Sequence, residues 1–168
     1  MKEAFVDEWG VKYSKDGRKL LKAPQELKGC YSVKEGTRII CDDAFFKCSS
    51  LTSIVISNSV VSIGDNAFKG CNSLSNVVIP NSVTTIEAGA FWDCSSLTSI
   101  VIPNSVVSIG DSAFEDCRFL LIIDIPDSVT SIGNSAFSGC NNLSYKLKQE
   151  LISCFGYKLF LAPYELPF

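Results

Sequence analysis

Cysteine is the residue of this 168-residue chain whose type and spacing most invite chemistry. Five of its eight cysteines, Cys48, Cys71, Cys94, Cys117 and Cys140, each close an Ala-Phe-x-x-Cys pentad, and each stands twenty-three residues after the last (71 − 48 = 23). Thiols at a fixed interval could form a redox relay, a metal ladder or a disulfide framework, or simply fill space. A metal site needs converging Cys or His ligands, commonly two to four residues apart. This chain has no histidine and no Cys-x-x-Cys. Stacked on successive coils, two neighbouring thiols would lie within the Cα separation that a disulfide accepts. Five equivalent positions cannot all pair, however, and nothing in the pattern selects partners. The bland reading is packing, because free cysteine behaves as a small hydrophobe and is among the most buried residue types. Cys30, Cys41 and Cys154 fall outside the column, and Cys154 is the candidate for a reactive thiol.

Other chemistries find less footing. An enzyme needs a nucleophile with its base, or a metal, and the many serines here have no histidine to activate them. Asp93, Glu115 and Asp116 offer carboxylate pairs across coils, but acids on successive turns usually make a solvated face. SIGDSAF lacks the Gly-x-x-x-x-Gly-Lys spacing of a phosphate loop. The expectation is a non-catalytic protein with no cofactor and no metal. A net charge of −3 and a pI near 5.0 suit neither nucleic acid nor an anionic membrane surface. No apolar run approaches the roughly 18 residues of a transmembrane segment. MKEAFVDEWG lacks the apolar stretch of a secretory signal, which, if Met1 is the native start, predicts a cytosolic chain.

The interval extends to every apolar column. Phe45, Phe68, Phe91, Phe114 and Phe137 align without gaps, as do Leu51, Leu74, Leu97, Leu120 and Leu143. Ile54, Val77, Ile100 and Ile123 form the next column, followed by Ile56, Ile79, Ile102 and Ile125, then Val60, Val83, Val106 and Val129, and finally Ile63, Ile86, Ile109 and Ile132. A partial earlier copy sets Tyr31, Val33 and Ile40 in the places of Ile54, Ile56 and Ile63. Within a unit, x-I-x-I-P alternates as a short half-buried strand, ended by Pro80, Pro103 or Pro126, which lack an N–H. An Asn-Ser or Asp-Ser turn follows, then a second extended piece at V-x-x-I. Asp65, Asp111 and Asn134 are placed to cap a single helical turn through the pentad. Gly64, Gly110 and Gly133 precede them, but Cys41 and Glu87 occupy the same place, so no positive φ is expected there. A unit this short cannot offset its ordering entropy alone, at about 1–2 kcal/mol per residue. Stacking in parallel gives a solenoid with one coil per repeat and a row of strands along one side.

The unit LTSIVIPNSVVSIGDSAFEDC (97–117) resembles the BspA-like class of leucine-rich repeats, and the likeness covers residues 31–143. GVKYSKDGRKLLKAP resembles the hairpin segment that often precedes such repeats. The resemblance implies a right-handed leucine-rich-repeat solenoid of short parallel strands and single helical turns, with a β-hairpin N-cap and a helical C-cap. It also implies a bacterial cell-surface or secreted protein that binds host or partner proteins. The family's recurring residues are structural, so no catalytic set carries over. The organisation expected is an N-terminal hairpin cap (1–30), the repeat array (31–143), and a C-terminal helical cap and tail (144–168). The helix is expected over 144–155, with Leu147, Leu151 and Phe155 on one face, Ser144 as cap and Gly156 as stop. FLAPYELPF reads as extended, lying on the body or serving as a sticky tail.

Function in a solenoid lies on positions the repeat leaves free. Ser53, Asn76, Ser99 and Ile122 form one outward strand column, and Val55, Val78, Val101 and Asp124 the next. Three valines in a row are either β-propensity repeated by the template or a weakly apolar partner surface. The last full repeat, CRFLLIIDIPDSV, departs from the others with Arg118, Phe119, Leu121 and Ile122. These either receive the C-terminal segment, the favoured reading, or meet another molecule. Phe46 and Trp92 are large aromatics at polar-tolerant positions, either hot spots or local cover. The candidate partner-binding residues are therefore Val55, Asn76, Val78, Ser99, Val101, Ile122, Asp124, Trp92 and Phe119. The function expected is a scaffold binding a protein partner by its strand face or irregular last repeat. The alternative is a structural element that self-associates weakly end to end rather than remaining a monomer. Carbohydrate is a minor option, since the columns lack stacked aromatics.

Overall fold

The computed structural model describes residues 4–165 of the chain. It begins with β1 (Phe5–Val6), β2 (Lys12–Tyr13) and β3 (Lys19–Lys22), each antiparallel to the next. Short strands then come in pairs, one pair per coil. They are β4 (Gly29–Ser32) and β5 (Ile39–Ile40), β6 (Leu51–Val55) and β7 (Ser62–Ile63), and β8 (Asn76–Val78) and β9 (Thr85–Ile86). The last two pairs are β10 (Ser99–Val101) with β11 (Ser108–Ile109), and β12 (Ile122–Asp124) with β13 (Ser131–Ile132). One helix, α1 (Tyr145–Phe155), and 3-10 turns at Tyr157–Phe160 and Pro163–Glu165 complete it. The tail is thus turned rather than extended over 163–165, and residues 166–168 lie outside the described residues.

Equivalent strands pair in parallel in the register the repeat predicts: Tyr31 faces Ile54, Ile40 faces Ile63, and Ile86 faces Ile109. Leu20 on β3 faces Ile40 on β5, so the expected hairpin caps the array by continuing its second sheet. It is pinned by a buried hydroxyl pair, Tyr13 to Tyr31 at 2.6 Å, with Tyr31 also donating to Asp7 Oδ2 at 2.7 Å. At the other end, Ser144 Oγ accepts the amide of Leu147, and α1 stops at Gly156 (φ +90°), a left-handed value that favours glycine.

The pentad differs from expectation. A helical turn would commit its amides to its own carbonyls. Here they alternate: Phe46 and Cys48 bond back to Asp43 and Phe45, while Phe45 and Lys47 reach forward to the carbonyls of Ala67 and Lys69 on the next coil. Left-handed residues four apart allow this, Asp43 and Lys47 in the first turn, Asn66 and Gly70 in the next. Asp65 and Asp111 do not cap a helix. Their Oδ1 atoms accept the amides of Ala88 and Asn134, one coil on, at 3.1 and 2.7 Å. Gly110 has an ordinary φ, as expected, but a Cβ there would stand 2.6 Å from the amide nitrogen of Ala88. Close approach between coils, not backbone freedom, calls for that glycine.

The ladder formed by these turns brings one phenylalanine per coil into a stack. Ring centroids from Phe45 through Phe68, Phe91 and Phe114 to Phe137 lie 5.0, 5.2, 5.5 and 5.6 Å apart, within 11° of parallel. The stack ends on Tyr31 and on Phe160, both tilted. Phe160 keeps the period (160 − 137 = 23), and the amide of Phe137 bonds to the carbonyl of Leu159 just as Phe114 bonds to Ala136. The C-terminal cap therefore repeats the turn of one more coil, with α1 in place of its strands.

The strand row is not continuous. Ser75 donates to the carbonyl of Thr52 and Leu121 to that of Thr98, but β8 and β10 are not paired. The row is a three-stranded piece and a two-stranded piece, while the second sheet and the turn ladder run unbroken past the gap.

Candidate partner-binding surface

The thiol column can be settled first. Cys48, Cys71, Cys94, Cys117 and Cys140 are buried and free. Four of them donate through Sγ to the carbonyl of the preceding coil's phenylalanine, Cys71 to Phe45 at 3.1 Å and Cys140 to Phe114 at 3.0 Å, for example. Burial pushes Cys48 up to about 11 and Cys140 up to about 12, and raises Cys71, Cys94 and Cys117 as well. A neutral, hydrogen-bonded thiol packs and does not attack. Cys30 and Cys154 are exposed, and Cys41 is half-buried. Among the described residues no cluster of His, Cys, Asp or Glu is placed to hold a metal, and no helix is long and apolar enough to cross a membrane.

The acidic residues stand on neighbouring coils of the turn ladder, where the amide of Asp93 donates to the carbonyl of Glu115 and Asp116 is the equivalent of Asp93 one repeat on. Asp116 pairs with Arg118 at 3.4 Å, and Asp93 is half-buried. Glu115 is buried, with Oε2 unpartnered, against the expectation of a solvated face.

The strand face carries most of the candidate residues. Ser53 lies opposite Asn76 and Val55 opposite Val78; on the far side of the gap, Ser99 lies opposite Ile122 and Val101 opposite Asp124. Val55, Val78, Val101, Phe119, Leu121 and Ile122 are each 53–68% exposed. The favoured reading of the irregular repeat therefore needs correction: the described part of the C-terminal segment does not cover Phe119, Leu121 or Ile122. The reason is geometric. α1 buries Leu151 against the end of the core, while these three side chains lie to the outside of that repeat. Where β8 and β10 part, a cleft of about 430 Å3 opens, bordered by Asn76, Val78, Ser99 and Val101.

Trp92 is not part of this surface. It sits on the turn ladder, half-buried, with Lys69 Nζ 3.4 Å from its ring centroid. Phe46 is roofed likewise by Lys22 and Lys47 at 5.7 and 5.3 Å. These contacts support local cover for both.

A family model described as "BspA type Leucine rich repeat region" matches residues 31–162 in six copies. This chain belongs to the BspA-type leucine-rich-repeat family. The matched range runs through the turn completed by Leu159 and Phe160. Among solved structures, a leucine-rich cell surface protein from Faecalibacterium prausnitzii is similar at 34% identity with a TM-score of 0.80, over 84% of this chain and 38% of that one. A leucine-rich-repeat protein from Bacteroides ovatus is similar at 26% identity and a TM-score of 0.60, over 85% of this chain and 45% of the other. The pneumococcal vaccine antigen PcpA shares the fold at 22% identity and a TM-score of 0.71, over 93% and 46%. The chain thus spans under half the length of each. No curated protein matches it. In the BspA-type unit of this chain, the Leu, Ile, Val, Ala, Phe and Cys positions are spent on the core, which leaves the outward strand columns and the departures in the last repeat exposed.

Proposed function

We propose that this chain is a non-catalytic scaffold that binds a protein partner through its strand face and the irregular repeat at 117–129. The observation carrying this is the exposed valine column of Val55, Val78 and Val101, which ends on Asp124, with Ile122, Leu121 and Phe119 exposed beside it on the last repeat. Contiguous apolar surface on a soluble chain marks an interaction site more often than chance exposure does. Neutral Ser, Thr and Asn around it, and a cleft between β8 and β10 that mixes Asn76 and Ser99 with Val78 and Val101, suit a partner that brings both apolar anchors and hydrogen-bonding groups. The likeness to a leucine-rich cell surface protein supports a place outside the bacterial cell.

The test is affinity capture with three baits: the native chain, Val78→Lys/Val101→Lys, and Val107→Lys, which makes the same kind of change just before β11, away from the strand face. All three sites are exposed, so each variant should keep its stability within about 0.5 kcal/mol per site. A partner held by the native chain and by Val107→Lys, and lost by the double variant, is the expected result. Equal retention by all three refutes the strand face. Sedimentation over a concentration range addresses the competing reading, since concentration-dependent chains would assign the exposed ends to assembly.

A further inference from the structure

The C-terminal end of the strand row holds a second site of a different kind. β12 pairs with β10 and with no other strand among the described residues. Ile122 donates inward to Thr98, and Asp124 accepts inward from Ile102. Alternation along a strand then turns the amide and carbonyl of Ile123 to the open side, where neither has a partner among the described residues. The coil that would have supplied the next strand supplies α1 instead. Between the strand edge and the helix lies a groove of about 370 Å3. Ile125, Leu147 and Leu151 give it apolar walls, and Asp124, Asp127 and Glu150 stand exposed on its rim. Among the described residues, the ion pair on that rim is a loose contact of Glu150 with Lys146 at 3.8 Å, both well exposed.

We propose that this groove binds an extended, basic segment of a partner protein by adding it as a strand to the edge of β12. Each part of the site calls for one property of that segment. The unpaired backbone calls for a strand rather than a helix, because only an extended chain offers amides and carbonyls at matching intervals. The apolar walls take every second side chain, since successive residues of a strand point to opposite faces. The three carboxylates select lysine or arginine at the intervening positions. The site is separate from the valine strip and does not depend on it.

The probe is a fluorescein-labelled (Lys-Val)4 peptide added to the full chain. Two comparison peptides isolate the terms: the same sequence N-methylated at alternate residues, which cannot complete a ladder, and (Glu-Val)4. Saturable anisotropy is expected for (Lys-Val)4 and absent for the other two. Amide exchange at Ile123, read by NMR, should slow by at least about tenfold on binding. Asp124→Lys/Asp127→Lys should weaken binding by about tenfold or more. Binding of the N-methylated peptide with equal affinity would show bare charge attraction and overturn the proposal, as would protection that appears at Val78 and Val101 but not at Ile123. Protection of Ile123 that grows with protein concentration in the absence of peptide would assign the edge to a second copy of the chain, and also overturns it. Because the strand face is judged at Val78 and Val101 and the groove at Ile123, either can fail alone.

Discussion

Five buried thiols should make this fold sensitive to alkali. Cys48, Cys71, Cys94, Cys117 and Cys140 are no more than 2% exposed, and burial raises all their pKa values, to about 11 at Cys48 and about 12 at Cys140. In an unfolded chain a thiol ionises near pH 8.5. A group whose folded pKa is raised holds its proton more tightly in the native state. Its contribution is complete below about pH 8.5 and is lost as the pH climbs toward the folded value. At pH 9.5 the native thiols remain protonated while about ten in eleven of the unfolded ones are ionised, which favours unfolding by RT ln 11, about 1.4 kcal/mol each. Five such groups sum to about 7 kcal/mol, comparable with the ~5–15 kcal/mol that holds a typical domain. Urea titrations followed by circular dichroism, under reductant at pH 7.5, 8.5 and 9.5, should show stability falling with a slope that approaches five protons. Tyr13 and Tyr31, also raised by burial, act in the same direction from about pH 10. Cys94→Ala/Cys117→Ala should lose two protons from that slope, whatever it does to stability at neutral pH. Stability unchanged between pH 7.5 and 9.5 would refute the assignment of these thiols to the core.

Iodoacetamide at pH 7.5 should modify Cys30 and Cys154 first and Cys41 more slowly, and should reach the five column thiols only after denaturation; peptide mass spectrometry reads the order. Phe91→Ala removes a fully buried ring stacked at 5.2 and 5.5 Å on its neighbours and should cost about 3–5 kcal/mol in chemical denaturation. Phe160→Ala, with one tilted neighbour at 6.1 Å, should cost about 1–2 kcal/mol; equal losses would contradict a stack that is weaker at its end. Gly110→Ala places a Cβ 2.6 Å from the amide nitrogen of Ala88 and should cost about 1–3 kcal/mol by forcing the coils apart, seen as a lower Tm.

The coil was legible because its causes repeat. Ile54, Ile63 and Phe68 recur at the same interval, and only coils stacked in register can bury all their columns at once. The hairpin and α1 were legible from a Lys-Asp-Gly turn and from leucines four apart. The turn was not, because Ala-Phe-x-x-Cys has the length of a helical turn, and the left-handed positions that break it carry Asp43, Lys47, Asn66, Gly70 and Ser112 with no common type. Phe160 was hidden by its surroundings: the interval is kept, but the Leu-x-x-Ile-x-Ile-Pro frame before it has become a helix. The parting of β8 from β10 lies between two near-identical copies, and no residue there explains it. The strand-face candidates were placed by alternation, whereas the groove beside β12 exists only because a helix follows, which spacing cannot show.

The carboxylates beside the groove bear on both what it accepts and what it refuses. An open strand edge with Leu121 and Ile122 exposed next to it is a template for pairing with another copy of the same chain. In a two-fold edge-to-edge pairing of β12 the strands run antiparallel, and with the axis near Ile123 the two Asp124 carboxylates become diagonal neighbours on one face, where like charges are unfavourable. The chain carries −3 overall, so the wider field opposes the same encounter. A basic strand meets neither obstacle. On this reading, the acids that keep the edge from self-association are also the ones that choose its partner. Hence the end of the array can keep an unpaired edge that a neutral sequence would have to cover.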